Sequence, residues 1–187
     1  MKILRYKEYN EKLDIRPVNL DRFSYRYFPK TKDELKSVIA DRIEKEGPEC
    51  DLNDIDVSKV TEMSWLFYYY PNFNGDISEW DTSNVTTMYH MFDGTNFSGD
   101  ISGWDVSNVT DMCGMFNRAA KFNCNISGWN VSNVRSISYM FYCARAFNQD
   151  LSGWDISNVK YRENLEKAFG GSGMKYDTDK WPKPAWR

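Results

Sequence analysis

A repeat of 24 or 25 residues runs through much of the chain and constrains its fold more than any other feature. The four clear copies follow the pattern Asp-Ile-Ser-Gly-Trp-Asp-x-Ser-Asn-Val and begin at residues 76, 100, 125 and 150. A period of this length indicates stacked coils, because one copy cannot bury its own apolar face and needs its neighbours. We call each copy a coil and expect equivalent side chains of successive coils to form columns.

Composition favours a globular protein and restricts its partners. Hydrophobic residues make up 41% of the 187 residues and aromatic residues 16%, which argues against disorder. The net charge is −3 and no Lys- or Arg-rich block occurs, so we expect no nucleic-acid binding. The start of the chain lacks the apolar core of a signal peptide, and no apolar stretch is long enough to span a bilayer. We therefore expect a cytoplasmic protein without membrane insertion, with the removal of an export signal left open.

The cysteines do not form a recognisable metal or disulfide pattern. Cys50, Cys113, Cys124 and Cys143 are spaced unlike Cys-x-x-Cys or Cys/His zinc motifs, and His90 is the single histidine. We expect reduced, separate thiols, no metal and no cofactor.

Each coil divides into two halves with different patterns. Residues 97–104 alternate between apolar and polar side chains, which is typical of a short strand. In the second half Val109, Met112, Met115 and Phe116 lie at offsets that fit one face of a helix. The order and period predict the α/β class, as a leucine-rich-repeat-like solenoid of about five coils.

The flanking sequences are typical of caps. Thr31 and Glu34 form a capping box ahead of an apolar helix face, and Gly47 and Pro48 end that helix. The segment after Gly170 is irregular and predicts a C-terminal cap that folds back over the last coil. The predicted domains are an N-terminal segment with a capping helix at 1–50, a solenoid at 51–169 and a C-terminal cap at 170–187. The role of residues 1–30 is left open.

Two columns of identical side chains are interpreted as structural. The tryptophans follow the phase of the apolar framework, which favours a buried spine over a row of exposed rings that stack on sugars. The asparagines are placed to bond the turns of adjacent coils or to cap helices, rather than to bind a ligand. The residues are Trp80, Trp104, Trp129, Trp154, Asn84, Asn108, Asn133 and Asn158.

Two acidic columns admit a calcium interpretation and a turn-capping one. The columns are Asp76, Asp100, Asn125 and Asp150, and Asp81, Asp105, Asn130 and Asp155. Calcium needs several converging oxygen ligands, but both columns carry Asn in the same coil and no glycine-rich calcium loop occurs. Turn capping is favoured.

Departures from the repeat mark candidate binding residues, because framework positions are already committed to stacking. Exposed aromatic side chains are favoured at protein interfaces. The alternative is that these residues are ordinary scattered surface positions. The candidates are Tyr68, Tyr69, Tyr70, Tyr89, His90 and Tyr139.

The extended pattern Phe-Asn-x-Asp-Ile-Ser-x-Trp-Asp-x-Ser-Asn-Val-x-x-Met-x-x-Met-Phe resembles the BspA-type repeat. That repeat is also known as the mycoplasma-type surface lipoprotein repeat and is grouped with leucine-rich repeats. The resemblance covers residues 51–169 and implies a scaffold without catalytic residues, often on bacterial surfaces and linked to adhesion or partner binding. The first residues do not resemble the signal peptide or the early lipid-attachment cysteine of the secreted members, which weakens the expectation of surface display.

These observations predict a non-enzymatic repeat scaffold for protein–protein interaction. The alternative is a carbohydrate-binding or adhesive surface module, which requires tryptophans exposed in a row. An enzyme would need a deep pocket with convergent titratable groups, which a short stack of coils rarely offers. The partner's identity, the binding face and the oligomeric state cannot be read from the sequence.

Overall fold

The computed structural model describes residues 25–183, and regular secondary structure occupies little of that range. Helix α1 spans Lys32–Glu46, helix α2 spans Arg162–Ala168, and a 3-10 turn covers Thr178–Lys180. In this part of the chain no extended strand forms, and successive coils pair through isolated parallel bridges instead. The predicted α/β class, a leucine-rich-repeat-like solenoid with a strand and a helix in each coil, is therefore wrong.

Each coil is a succession of turns because its backbone N–H groups have two kinds of partner. The N–H groups of Met112, Gly114 and Phe116 donate to carbonyl oxygens of the next coil at 2.8–2.9 Å. Between them, the N–H of Met115 closes a turn onto the carbonyl of Met112 at 3.2 Å. An α-helix would need every N–H to bond four residues back. The apolar offsets that fit a helix face therefore mark side chains that point into the stack.

A left-handed residue in each of four successive coils also prevents a continuous strand. Trp65, His90, Gly114 and Tyr139 occupy the same repeat position and have φ values of 59°, 50°, 62° and 58°. Backbone with positive φ continues neither an α-helix nor a β-strand. Pairing between coils is therefore limited to single bridges.

The coils nevertheless stack in register around two columns of buried phenylalanines. Neighbouring rings of the first column lie 5.2–5.7 Å apart, and those of the second lie 5.7–6.3 Å apart. Burying each ring contributes about 1.5–3 kcal/mol of transfer free energy, so the core is continuous through the stack. The columns are Phe67, Phe92, Phe116, Phe141 and Phe169, and Phe73, Phe97, Phe122 and Phe147.

Helix α1 begins and ends where the capping signals predict. The hydroxyl of Thr31 accepts a hydrogen bond from the N–H of Glu34 at 3.3 Å. The carboxylate of Glu34 accepts from the N–H of Lys30 at 2.7 Å, one residue before the N-cap. Leu35 and Ile39 are fully buried, so the apolar face of α1 belongs to the same core as the coils.

A buried arginine fastens α1 to the first coil. The guanidinium of Arg42 donates to the carboxylates of Glu46 and Asp54 at 2.6 and 2.5 Å, and to the carbonyl of Asp51 at 2.7 Å. Burial by itself lowers the pKa of Arg42, but the bonds to the two carboxylates outweigh it and raise the pKa. The pair of carboxylates keeps this cation charged inside the contact.

The C-terminal residues fold over the last coil. The ring of Trp181 stacks on Phe169 at 4.9 Å, and its indole N–H donates to the carbonyl of Met174 at 2.9 Å. The N–H of Leu151 donates to the carbonyl of Lys180 at 2.8 Å. The predicted domain boundaries stay predictions, and residues 1–24 and 184–187 lie outside the described part of the chain.

Candidate functional site

The four repeat tryptophans form a buried column. Each is 3–4% exposed, and each indole N–H donates to a carbonyl oxygen of the preceding coil at 3.0–3.2 Å. The rings of Trp80 and Trp104 are stacked 6.2 Å apart, and those of Trp129 and Trp154 6.5 Å apart. A buried indole with its N–H bonded stabilises the stack. Neighbouring coils cover its ring faces.

The column asparagines link the turns of adjacent coils. Each side-chain amide donates to the carbonyl oxygen of a serine in the preceding coil, at 2.6–2.9 Å. These amides therefore act in coil-to-coil hydrogen bonding. The residues are Asn84, Asn108, Asn133 and Asn158.

The acidic columns cap turns of their own coil. The carboxylates of Asp100 and Asp105 accept from the N–H groups of Ser102 and Ser107 at 2.9 Å, and the amide oxygen of Asn125 accepts equivalently at 3.1 Å. The N–H and hydroxyl of Ser102 lower the pKa of Asp100, and the hydroxyl and N–H of Ser107 lower the pKa of Asp105. In one coil an uncharged acceptor occupies each of these positions, because Asn125 and Asn130 replace the two aspartates.

Residues 25–183 hold no group of three or more His, Cys, Asp or Glu side chains placed to bind a metal ion. All four cysteines lie in this range and are free thiols. Burial raises the pKa of Cys50, Cys113 and Cys124, so these three thiols are poor nucleophiles.

A different surface forms where two repeat positions vary from coil to coil. The first is the left-handed position, and the second lies three residues later. We call these positions the variable strip. Its pairs are Trp65 and Tyr68, His90 and Asp93, Gly114 and Asn117, and Tyr139 and Tyr142.

Aromatic rings pack around Trp65 at the N-terminal end of the strip. The indole stacks on the imidazole of His90, with centroids 4.3 Å apart and planes 7° apart. The edges of Tyr68 and Tyr89 contact Trp65 at 4.7 and 5.3 Å, and Tyr69 contacts Tyr68 at 5.1 Å. Tyr68 is 42% exposed and Tyr69 77% exposed, so this cluster presents rings to solvent. Burial raises the pKa of Tyr89.

A polar group in the middle of the strip holds His90 in place. The Nδ1 atom of His90 lies 2.6 Å from a carboxylate oxygen of Asp93, and the amide of Asn117 donates to the same oxygen at 3.1 Å. A Cβ at Gly114 would overlap the imidazole, so glycine leaves the space that the ring fills. Among the described residues no Ser, Thr or Cys side chain bonds to His90. The group orients the imidazole beneath Trp65.

The C-terminal end of the strip is again aromatic. Tyr139 and Tyr142 are 41% and 38% exposed, and their rings meet edge to face at 5.7 Å. The strip therefore carries exposed tyrosines at both ends with a polar centre between them.

Five of the six predicted binding residues lie in or beside the variable strip, namely Tyr68, Tyr69, Tyr89, His90 and Tyr139. The structure gathers the first four around Trp65 and places Tyr139 two coils further along. Tyr70 differs, because it is partly buried against the core and burial raises its pKa.

Sequence reasoning missed Trp65, Asp93, Asn117 and Tyr142. The repeat itself was the signal that could have identified these four residues. Trp65 occupies the position of His90 one coil earlier, and the other three occupy the position of Tyr68 in later coils. An alignment of the coils on the residue before Met-Phe, or before Leu66-Phe67 in the first coil, identifies both positions of each pair.

The described residues include no helix long and apolar enough to cross a membrane. The sequence model of the family described as "Mycoplasma protein of unknown function, DUF285" matches residues 35–96 and 90–181. Together the two matches include most of α1, all the coils and most of the C-terminal covering. No curated protein and no solved structure matches the chain.

Proposed function

The chain belongs to the DUF285 family, the BspA-like repeat family in its general sense, and we propose that it is a non-enzymatic scaffold that binds another protein through the variable strip. The family description assigns no function, so the proposal depends on this chain's own surface. The grouping with leucine-rich repeats forms no part of the proposal, because the coils lack the strand and helix of that fold.

One observation carries the proposal: the variable strip exposes tyrosines at both ends, whereas the side chains of the Trp and Asn columns bond between coils. Tyr68 is 42% exposed and Tyr139 is 41% exposed, and Tyr69 beside the strip is 77% exposed. Tyrosine supplies a large contact area at a small entropy loss and is enriched among residues that dominate interface energies. Backbone bonds to the next coil hold the strip, so little ordering is required when a partner binds.

We assign no catalytic step and no cofactor to this surface. The His90–Asp93 pair lies under Trp65 and is bonded to Asn117, which suits a role in shaping the strip. A cytoplasmic location and the surface display that the family resemblance implies both stay predictions.

A carbohydrate-binding or adhesive surface module stays the untested alternative, and no observation favours it. Stacking on sugars needs open ring faces. The tryptophan column does not offer them, because its members are only 3–4% exposed. A glycan would have to bind the tyrosines of the strip, and a glycan titration that quenches or shifts the fluorescence of Trp65 would favour this alternative.

The protein-binding proposal is tested by capture from lysate of the source cells, with the full chain immobilised. We expect Tyr69→Ser or Tyr139→Ser to weaken capture of one defined protein by about tenfold, the effect of losing roughly 1.4 kcal/mol at an interface. The matched control is Tyr176→Ser, since Tyr176 is 86% exposed and lies outside the strip. Unchanged capture by Tyr69→Ser and by Tyr139→Ser, or an equal loss in the control, would contradict the proposal.

A further inference from the structure

One repeat position changes from threonine to a cation in the last two coils. The hydroxyls of Thr86 and Thr110 each donate to a carbonyl oxygen of the preceding coil, at 3.0 and 3.2 Å. Arg135 occupies the same repeat position in the next coil. It keeps only the backbone hydrogen bond, in which its N–H donates to the carbonyl of Thr110 at 2.9 Å. Lys160 follows one coil later. Two cationic side chains therefore lie in adjacent coils without a role in the stack.

These two cations line a cavity of about 460 Å³. Asn158, Tyr161 and Asn164 complete its lining, so every polar side chain there carries a hydrogen-bond donor and none is acidic. The amide of Asn158 donates to the carbonyl of Ser132, whereas the side chains of Tyr161 and Asn164 have no hydrogen-bond partner within residues 25–183. The volume lies in the range of small-molecule sites.

The charge of this cavity is not neutralised by the protein around it. No ion pair among residues 25–183 includes Arg135 or Lys160. In α2, which begins just after Tyr161, Glu166 is paired with Arg162 at 3.1 Å and Glu163 with Lys167 at 3.3 Å. Both cations are exposed and have no ion-pair partner in the described part of the chain, so a ligand of opposite charge in this cavity would be attracted to both.

We propose that this cavity binds a phosphate group, either free or as a small phosphate monoester. A guanidinium matches phosphate oxygens with two parallel hydrogen bonds, and an ammonium adds a point charge. The side chains of Asn164 and Tyr161 supply further donors, and a phosphate group has acceptor oxygens for all of them. The cavity is larger than a phosphate ion, which leaves room for the organic part of a monoester.

The test is an NMR titration of the full-length, isotope-labelled chain in a phosphate-free buffer. The probes are inorganic phosphate and phosphoserine, and the resonances followed are the side-chain amide of Asn164 and the backbone amide of Arg135. The test variant is Arg135→Thr/Lys160→Thr, which restores the threonine of earlier coils and so preserves the fold. The control variant is Lys59→Thr/Lys121→Thr, which removes two exposed cations elsewhere.

We expect both resonances to shift with at least one probe in the native chain, and the affinity to fall by about tenfold or more in the test variant. The control should stay within about twofold of the native affinity. Tighter binding of phosphoserine identifies a monoester site, and equal or tighter binding of inorganic phosphate identifies a free-phosphate site. Shifts that are absent with both probes, retained in the test variant or lost equally in the control would overturn the proposal.

Discussion

The Trp and Asn columns and the variable strip belong to the same coils, yet their side chains have opposite roles. Each column side chain donates to a carbonyl oxygen of the preceding coil. In the strip the backbone links neighbouring coils instead. For example, the N–H of His90 donates to the carbonyl of Cys113 in the next coil at 2.9 Å. In the Trp and Asn columns the side chain forms the bond between coils and its identity is kept, whereas in the strip the backbone forms the bond and the side chain varies.

The largest difference between the two regions should appear when a column ring is removed. Trp104→Ala is expected to lower the free energy of unfolding by about 3–5 kcal/mol, through lost packing and the lost bond to the carbonyl of Ile77. Tyr69→Ser, beside the strip, should change it by no more than about 0.5 kcal/mol, because that ring is mostly exposed. Urea denaturation followed by circular dichroism measures both values. Similar losses in the two variants would remove the distinction between column and strip.

A smaller effect is expected from a column amide. Asn133→Ala should lower the free energy of unfolding by about 0.5–1.5 kcal/mol, because the carbonyl of Ser107 loses the hydrogen bond at 2.7 Å. The matched control is Asn164→Ala, since Asn164 has no side-chain hydrogen bond within residues 25–183 and should change stability by less than about 0.5 kcal/mol. If the two alanine variants unfold at the same urea concentration, the asparagine column does not stabilise the stack.

The turn-capping carboxylates predict a loss of stability in acid. Hydrogen bonds from the following serines lower the folded-state pKa of Asp100 and Asp105. Their stabilisation is therefore complete above the unfolded-state pKa, about 3.9, and is lost as the pH falls through the lower folded-state pKa. Asp100→Asn/Asp105→Asn copies the two asparagines of the next coil and should flatten this loss. The measurement is the urea midpoint of the native chain and of the double variant from about pH 5 to pH 2. If the two midpoints fall in parallel, Asp100 and Asp105 do not cause the loss of stability in acid.

The smallest effect is expected at the left-handed position of the strip. Tyr139→Gly should change the free energy of unfolding by less than about 1 kcal/mol, because relief of left-handed strain offsets the greater entropy of an unfolded glycine. Gly114 already fills this position one coil earlier, with φ of 62° against 58° for Tyr139. A loss of several kcal/mol in thermal or urea unfolding would show that Tyr139 supports the stack and does not belong to a permissive strip.

The sequence allowed the stacking to be predicted, but not the local structure of the coil. Identical tryptophans at a fixed period have to lie above one another, and they do. The apolar offsets of Met112, Met115 and Phe116 equally fit a helix face and a run of turns that points into the stack. A helix forms if the backbone N–H groups bond within the coil, and turns form if they bond to the next coil. The pattern of apolar side chains does not distinguish these two cases.

The candidate site was predictable in part for a related reason. Tyr68, Tyr89 and His90 stand out as departures from the repeat, and the structure gathers them. Trp65 escaped notice because the first coil departs from the repeat, with Leu66-Phe67 where later coils have Met-Phe, and this hides its equivalence to His90. The left-handed φ of Trp65 and His90 was not predictable, because side chains other than glycine rarely adopt it and the neighbouring coils impose it.

That imposed backbone geometry has a practical consequence for protein engineering. A tryptophan, a histidine, a glycine and a tyrosine all occupy one backbone conformation at the same place in the coil. The neighbouring coils therefore maintain one backbone conformation for side chains of very different size and polarity, although a side chain at Gly114 would require a change at His90. Libraries randomised together at these four sites and at their partners three residues later would explore new surfaces while the backbone hydrogen bonds between coils stay intact.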